Sequence, residues 1–254
     1  MTTQTPRHPH RRDRVAGMGP VALFVHGVLM NKHLWRHQLA ALGDIRRCIA
    51  ADLLAHGDTE IAPDQDVSVT AKNAHMLREL LDALAIDLVG NDSGGGICQI
   101  FAALNPERAR TLTLTNCDTH DNWSSRGVQG LRRHGPRRRP QDTLTAMLAD
   151  KVVYRSPEAL GLGYENPQFV TDGDIARFIT ALNNRHTLAI EPQLRALKAP
   201  TLIAWATDDV FFSAKWARLA DTIPGAKRRS CSRARGSSSQ RSALTPSTPC
   251  SAST

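Results

Sequence analysis

The sequence predicts an α/β domain: a parallel-rich β-sheet with helices on both faces. Three observations predict it. Short segments suited to strands, apolar runs at 21–25, 86–89 and 201–205, the segment 47–53, and 111–115 where Thr alternates with Leu, alternate with segments of helical period. Glycines bracket a tight junction between one such run and the helical segment after it, at Gly90, Gly94 and Gly95. The chain has 254 residues, 41% of them hydrophobic, which suffices for one sizeable core.

The junction organises the rest. The run at 86–89 reads as a sheet-core strand, and Ile97, Ile100, Phe101 and Leu104 fall at helical spacing before Pro106. Between them stands Gly90-Asn91-Asp92-Ser93-Gly94, with a small residue two before and two after Asp92. A nucleophile elbow has this requirement, because the turn is too tight for Cβ atoms at those two places and lifts its apex residue above the sheet. In this register the apex is Asp92, which would be a carboxylate nucleophile. A Gly-rich turn that binds phosphate at a helix N-terminus is the plainer alternative, and an acidic apex would repel that ligand.

The pattern resembles the α/β-hydrolase superfamily and, within it, the branch with an Asp nucleophile that includes haloalkane dehalogenases and epoxide hydrolases. The likeness runs from about Val21 to about Ala226. It implies a mostly parallel sheet with helices on both faces and a helical cap insertion. The strand 21–25 ends in His26-Gly27-Val28, and the resemblance implies that the N–H groups of Val28 and Ser93 form the oxyanion hole. His26 is then a loop residue whose ring bonds backbone, not the base. Asp52 to Asp58 resembles the superfamily's D-x-x-G-x-G loop, with Asp52 structural. The residues after 205 resemble the G-x-x-D that carries the triad acid, which makes Asp209 the acid and Asp208 its neighbour.

Other candidates border this set. Asp118 and His120 follow the strand 111–115 and so belong at a strand's carboxyl end, as alternative acid and base. A polar loop with turn-capping Asp residues is the preferred reading there. Residues 124–185 occupy the place of the cap, with an irregular Arg-rich stretch at 126–139. Both tyrosines, Tyr154 and Tyr164, lie in it; epoxide hydrolases use paired cap tyrosines on the epoxide oxygen, though packing is the commoner role for such residues.

Charge and cysteine content bound the rest. The net charge is +8, but residues 1–14, 126–139 and 222–254 carry fifteen excess positive charges between them, so the remainder is at −7. The Arg runs have no interleaved aromatics, which argues against nucleic acid as the partner and leaves a small-molecule substrate. Five scattered cysteines give no metal-ligand spacing and fit free thiols in a cytoplasmic setting. No run approaches a membrane span. No metal or cofactor is expected, and the oligomeric state is open.

The expected domain plan is a disordered leader 1–18, core 19–123, cap 124–185, core 186–226 and a disordered basic tail 227–254. The tail holds one Leu among Arg, Ser, Thr, Pro and Ala, and no His occurs after His186. The last strand, the catalytic His and the last helix are therefore expected to be missing, the edge of the preceding strand left bare, and the chain marginally stable. A reading-frame shift near 227, with a compensated one at 126–139, is the expected cause. The functional expectation is a hydrolase using Asp92 on an electrophilic carbon, impaired without its base. A non-catalytic binding relative is the alternative, and an ester hydrolase using Ser93 a minor one.

Overall fold

The computed structural model describes residues 14–28, 30–59, 70–80, 85–122, 185–207, 209, 212–231 and 250–252. Its centre is an eight-stranded sheet in the order β1-β3-β2-β4-β5-β6-β7-β8. The strands are β1 (Arg14–Ala16), β2 (Val21–Val25), β3 (Arg47–Ala51), β4 (Ile86–Asp92), β5 (Ala109–Cys117), β6 (Thr201–Ala206), β7 (Lys227–Cys231) and β8 (Cys250–Ala252). From β3 through β7 every neighbouring pair is parallel, and the two outermost pairs, β1–β3 and β7–β8, are antiparallel.

Side chains that alternate along β2 and β3 divide the core. Leu23, Val25, Ile49 and Ala51 face a large cluster with Leu77 of α2 (Thr70–Leu80) and Ile97, Ile100 and Phe101 of α3 (Ser93–Leu104). Ala22, Phe24, Cys48 and Ala50 face the opposite way, against Trp35 and Leu39, the latter on α1 (Arg36–Leu42). Strands buried on both faces must be apolar throughout, which is why they read as continuous runs. The short helices α4 (Arg185–Ala189) and α5 (Glu191–Arg195) and a 3₁₀ helix, Ala214–Asp221, follow, and a single 3₁₀ turn, Lys32–Trp35, precedes α1; Leu194 and Leu219 join the larger cluster.

Two expectations about the ends are corrected. Residues 14–16 of the supposed leader form β1, and residues 227–231 and 250–252 of the supposed tail form β7 and β8. β7 occupies the place of the strand expected to be lost and pairs in parallel with β6 from Leu202↔Lys227 to Ala206↔Cys231, so the β6 edge is covered. The reason is that outer strands are held by backbone pairing. Lys227, Arg228 and Arg229 stay exposed, and charged side chains suit an outlying strand, so a search for buried apolar runs misses it. The cap lies outside the described residues, apart from Arg185.

Candidate active site

Asp92 ends β4 and caps α3, with φ 54° and ψ −133°. A positive φ on a residue with a Cβ is a strained conformation. It is tolerated because the neighbours give way. A Cβ on Gly90 would sit 2.7 Å from the Gly94 carbonyl oxygen and from Gly95 Cα, and one on Gly94 would run into the carbonyls of Val25 and His26. A Cβ on Gly27 would collide with the Asp92 side chain, which places that side chain against the loop after β2.

The half-buried Asp92 carboxyl faces two backbone donors. The Ser93 N–H donates to Oδ1, and the Val28 N–H also bonds the carboxylate. Burial pushes the Asp92 pKa up to about 7; the Asp209 carboxylate adds to the rise, while the Ser93 and Val28 amides pull against it. Ser93 itself is the first helical residue and is fully buried, so the apex position belongs to Asp92.

Asp118 lies next to this group. Its N–H donates to the Asp92 carbonyl at 3.2 Å, and its buried carboxyl is held well above the usual carboxylate range, by burial first and then by the Asp92 charge. Gln99 of α3 fixes the segment through Nε2, which donates to the Asp118 carbonyl at 2.7 Å. Asp209 accepts the Phe212 N–H at 2.8 Å and so shapes the turn after β6. Asp208, Tyr154 and Tyr164 lie outside the described residues.

The two candidate histidines face elsewhere. The buried His26 accepts the Leu53 N–H at Nε2, 3.1 Å, and places Nδ1 2.8 Å from the Gly27 carbonyl. The first bond requires an unprotonated Nε2 and the second a proton on Nδ1, so His26 is a neutral ring bonded to backbone. His120 directs Nδ1 to Glu191 Oε1 at 2.7 Å and Nε2 to the Thr222 hydroxyl at 3.3 Å, engaging α5 and the turn after the 3₁₀ helix.

Two supporting residues escape a reading of the sequence. Asn116 accepts the Ala206 N–H at 2.8 Å and donates to the Ala206 carbonyl at 3.2 Å, tying the end of β5 to the end of β6 and thus to the Asp209 turn. Lys32 is a buried lysine whose Nζ lies 2.6 Å from both Asp52 Oδ2 and Asp58 Oδ2. An Asn in a polar loop and a Lys before an amphipathic helix carry no signal of these roles.

Comparison with known proteins shows the family of the chain. The family profile described as alpha/beta hydrolase fold matches residues 20–231. Epoxide hydrolase 2 of Siraitia grosvenorii is 33% identical over 206 residues, 76% of this chain; the chain spans 60% of that relative's length. A haloalkane dehalogenase of Mesorhizobium japonicum is 36% identical over 99 residues, covering 38% of this chain and 31% of its own. Among solved structures, a thermophilic esterase from Thermogutta terrifontis superposes with a TM-score of 0.66 at 21% identity, covering 90% of this chain and 88% of its own, a likeness of fold.

Proposed function

Because this chain belongs to the alpha/beta hydrolase fold family, we propose that it acts on small molecules bearing an electrophilic carbon, an epoxide in the first instance, with Asp92 as nucleophile. The observation that carries the reading is the Asp92 carboxyl at a strained apex, facing the Val28 and Ser93 amides. The Ser93 N–H holds Oδ1 and the Val28 N–H bonds the same carboxyl, and the other oxygen, Oδ2, is the one assigned to attack. That attack forms a C–O bond from Asp92 to a ring carbon and breaks the ring C–O bond. The electron pair moves to the ring oxygen, which then takes a proton; the cap tyrosines Tyr154 and Tyr164 are the candidate donors.

The product of that step is an ester of Asp92. Water adding to its carbonyl carbon places negative charge on the oxygen that the two amides already face, and collapse of the adduct releases a diol and restores the carboxylate. Activating the water calls for a base. Asp209 would orient a His in that role, yet no His follows His186 in the sequence. Alkylation of Asp92 is therefore the step that these residues themselves support and the one to test. The similarity to an epoxide hydrolase, 33% identical over 76% of the chain, favours the epoxide over the haloalkane, for which the resemblance implies a Trp where Ser93 stands.

The test is mass spectrometry of the protein after exposure to a small aryl epoxide. A mass gain of one epoxide on the peptide bearing Asp92, absent in Asp92→Asn, supports the reading. No adduct and no diol would favour a non-catalytic binding relative, and an adduct that survives Asp92→Asn would overturn the assignment.

A further inference from the structure

The Val28 amide sits in a loop held at two points, and both anchors belong to the same neighbouring loop. β2 and β3 are paired to their last residues, Val25↔Ala51, so the segments that follow leave the sheet side by side. On one side of Val28, His26 is fixed by the Leu53 N–H. On the other, the Lys32 N–H donates to Asp52 Oδ1 at 2.7 Å while the Lys32 ammonium donates to Asp52 Oδ2 at 2.6 Å. Asp52 therefore holds one residue by its backbone and its side chain together. The Asp58 N–H braces the same Oδ2 at 3.0 Å.

We propose that Lys32 and Asp52 form a positioning clasp that sets the Val28 N–H against the Asp92 carboxyl. Lys32 is 6% exposed and Asp52 1%. Burial works against the Lys32 ammonium, but its bonds to Asp52 and Asp58 raise its pKa above the ordinary lysine value. Burial likewise disfavours the Asp52 carboxylate, and Lys32 and the Asp58 N–H more than offset it, holding its pKa below the ordinary value. The pair is thus ionised on both sides. A buried ion pair is a poor source of stability compared with packed apolar side chains, and its best-attested use is to fix a geometry. Here the geometry fixed is the path of the chain between His26 and Lys32, which carries Val28. The inference deepens the proposed role of Asp92, but its principal readout needs no substrate.

That readout is the titration of the Asp92 carboxyl, followed by NMR on protein labelled at Asp side-chain carbons and assigned with Asp92→Asn. Asp118, Asp209 and the Cys117 thiol are the ionisable groups that interact with it among the described residues, and all three stay in place. Lys32→Met keeps the apolar stem and removes the ammonium. A less firmly held Val28 N–H then supports the carboxylate less well, so the Asp92 midpoint rises by about 0.5 pH unit or more. The alkylation rate at saturating epoxide falls roughly 10-fold, with the half-saturating concentration unchanged. Asp58→Asn, at a side chain 58% exposed, moves the Asp92 midpoint by less than about 0.3 pH unit and the rate by less than about 2-fold. If Lys32→Met does not fold, Asp52→Asn serves, since it keeps an acceptor for the Lys32 N–H, and the same rise is expected. A folded Lys32→Met or Asp52→Asn with an unmoved Asp92 midpoint overturns the clasp. A moved midpoint in a protein whose parent is never alkylated upholds the clasp and overturns the nucleophile.

Discussion

Replacing Asp92 by Asn should make the protein more stable at pH 8 and have little effect near pH 4. Asn keeps an oxygen for the Ser93 and Val28 amides but carries no charge, so the comparison isolates the burden of ionising a carboxyl at this place. The Asp92 pKa is about 7 in the folded chain against an ordinary 3.8. The folded state therefore binds this proton more tightly than the unfolded state does. That contribution is fully present below pH 4, declines as the pH rises towards 7, and is gone above it. Three units at about 1.36 kcal/mol each set a ceiling of about 4 kcal/mol. Asp92 is only half-buried and water screens part of the penalty, so the expected gain for Asp92→Asn at pH 8 is roughly 1–3 kcal/mol. The assay is urea unfolding of both proteins from pH 4 to pH 8.5, with the slopes compared to check that the transition is the same. The two stability curves should converge at the acid end and separate through pH 5–7. A gap independent of pH, or a less stable Asn variant at pH 8, would refute the reasoning, because either outcome would mean that the carboxylate is not the group under strain. A gain of this kind on removing a functional group is the usual trade of stability for activity.

The same titration governs chemistry: the rate of adduct formation with an epoxide should rise with pH through a midpoint near 7 and level off above it, read by quenched mass spectrometry, since only the carboxylate attacks. Asn116→Ala strips both bonds from the Ala206 backbone and should lower the unfolding free energy by roughly 1–3 kcal/mol in urea melts. Gly94→Ala drives a Cβ into the Val25 and His26 carbonyls and should cost more than about 3 kcal/mol, seen as loss of soluble protein, whereas Gly225→Ala, with open space around it, should stay soluble at a strain penalty of about 1 kcal/mol.

The sequence by itself determined the architecture of the sheet's interior and the position of its apex. Strands such as Val21–Val25 are covered on both faces and must be apolar along their length, and the elbow admits only small residues at Gly90 and Gly94, so both leave a local signature. Asp92 was legible for the same reason, being two residues from each. The tertiary structure alone decided what local pattern does not encode. β1, β7 and β8 exist because a neighbouring strand offers unpaired backbone groups, and Arg228 or Arg229 on β7 is indifferent to apolar periodicity. The burial of Lys32 and the two-way bond from Asn116 to Ala206 depend on residues 20 and 90 positions away in the chain. The elevated pKa of Asp92 belongs to the same class, since it arises from burial and from Asp209, which only the folding of β4 beside β5 and β6 brings near.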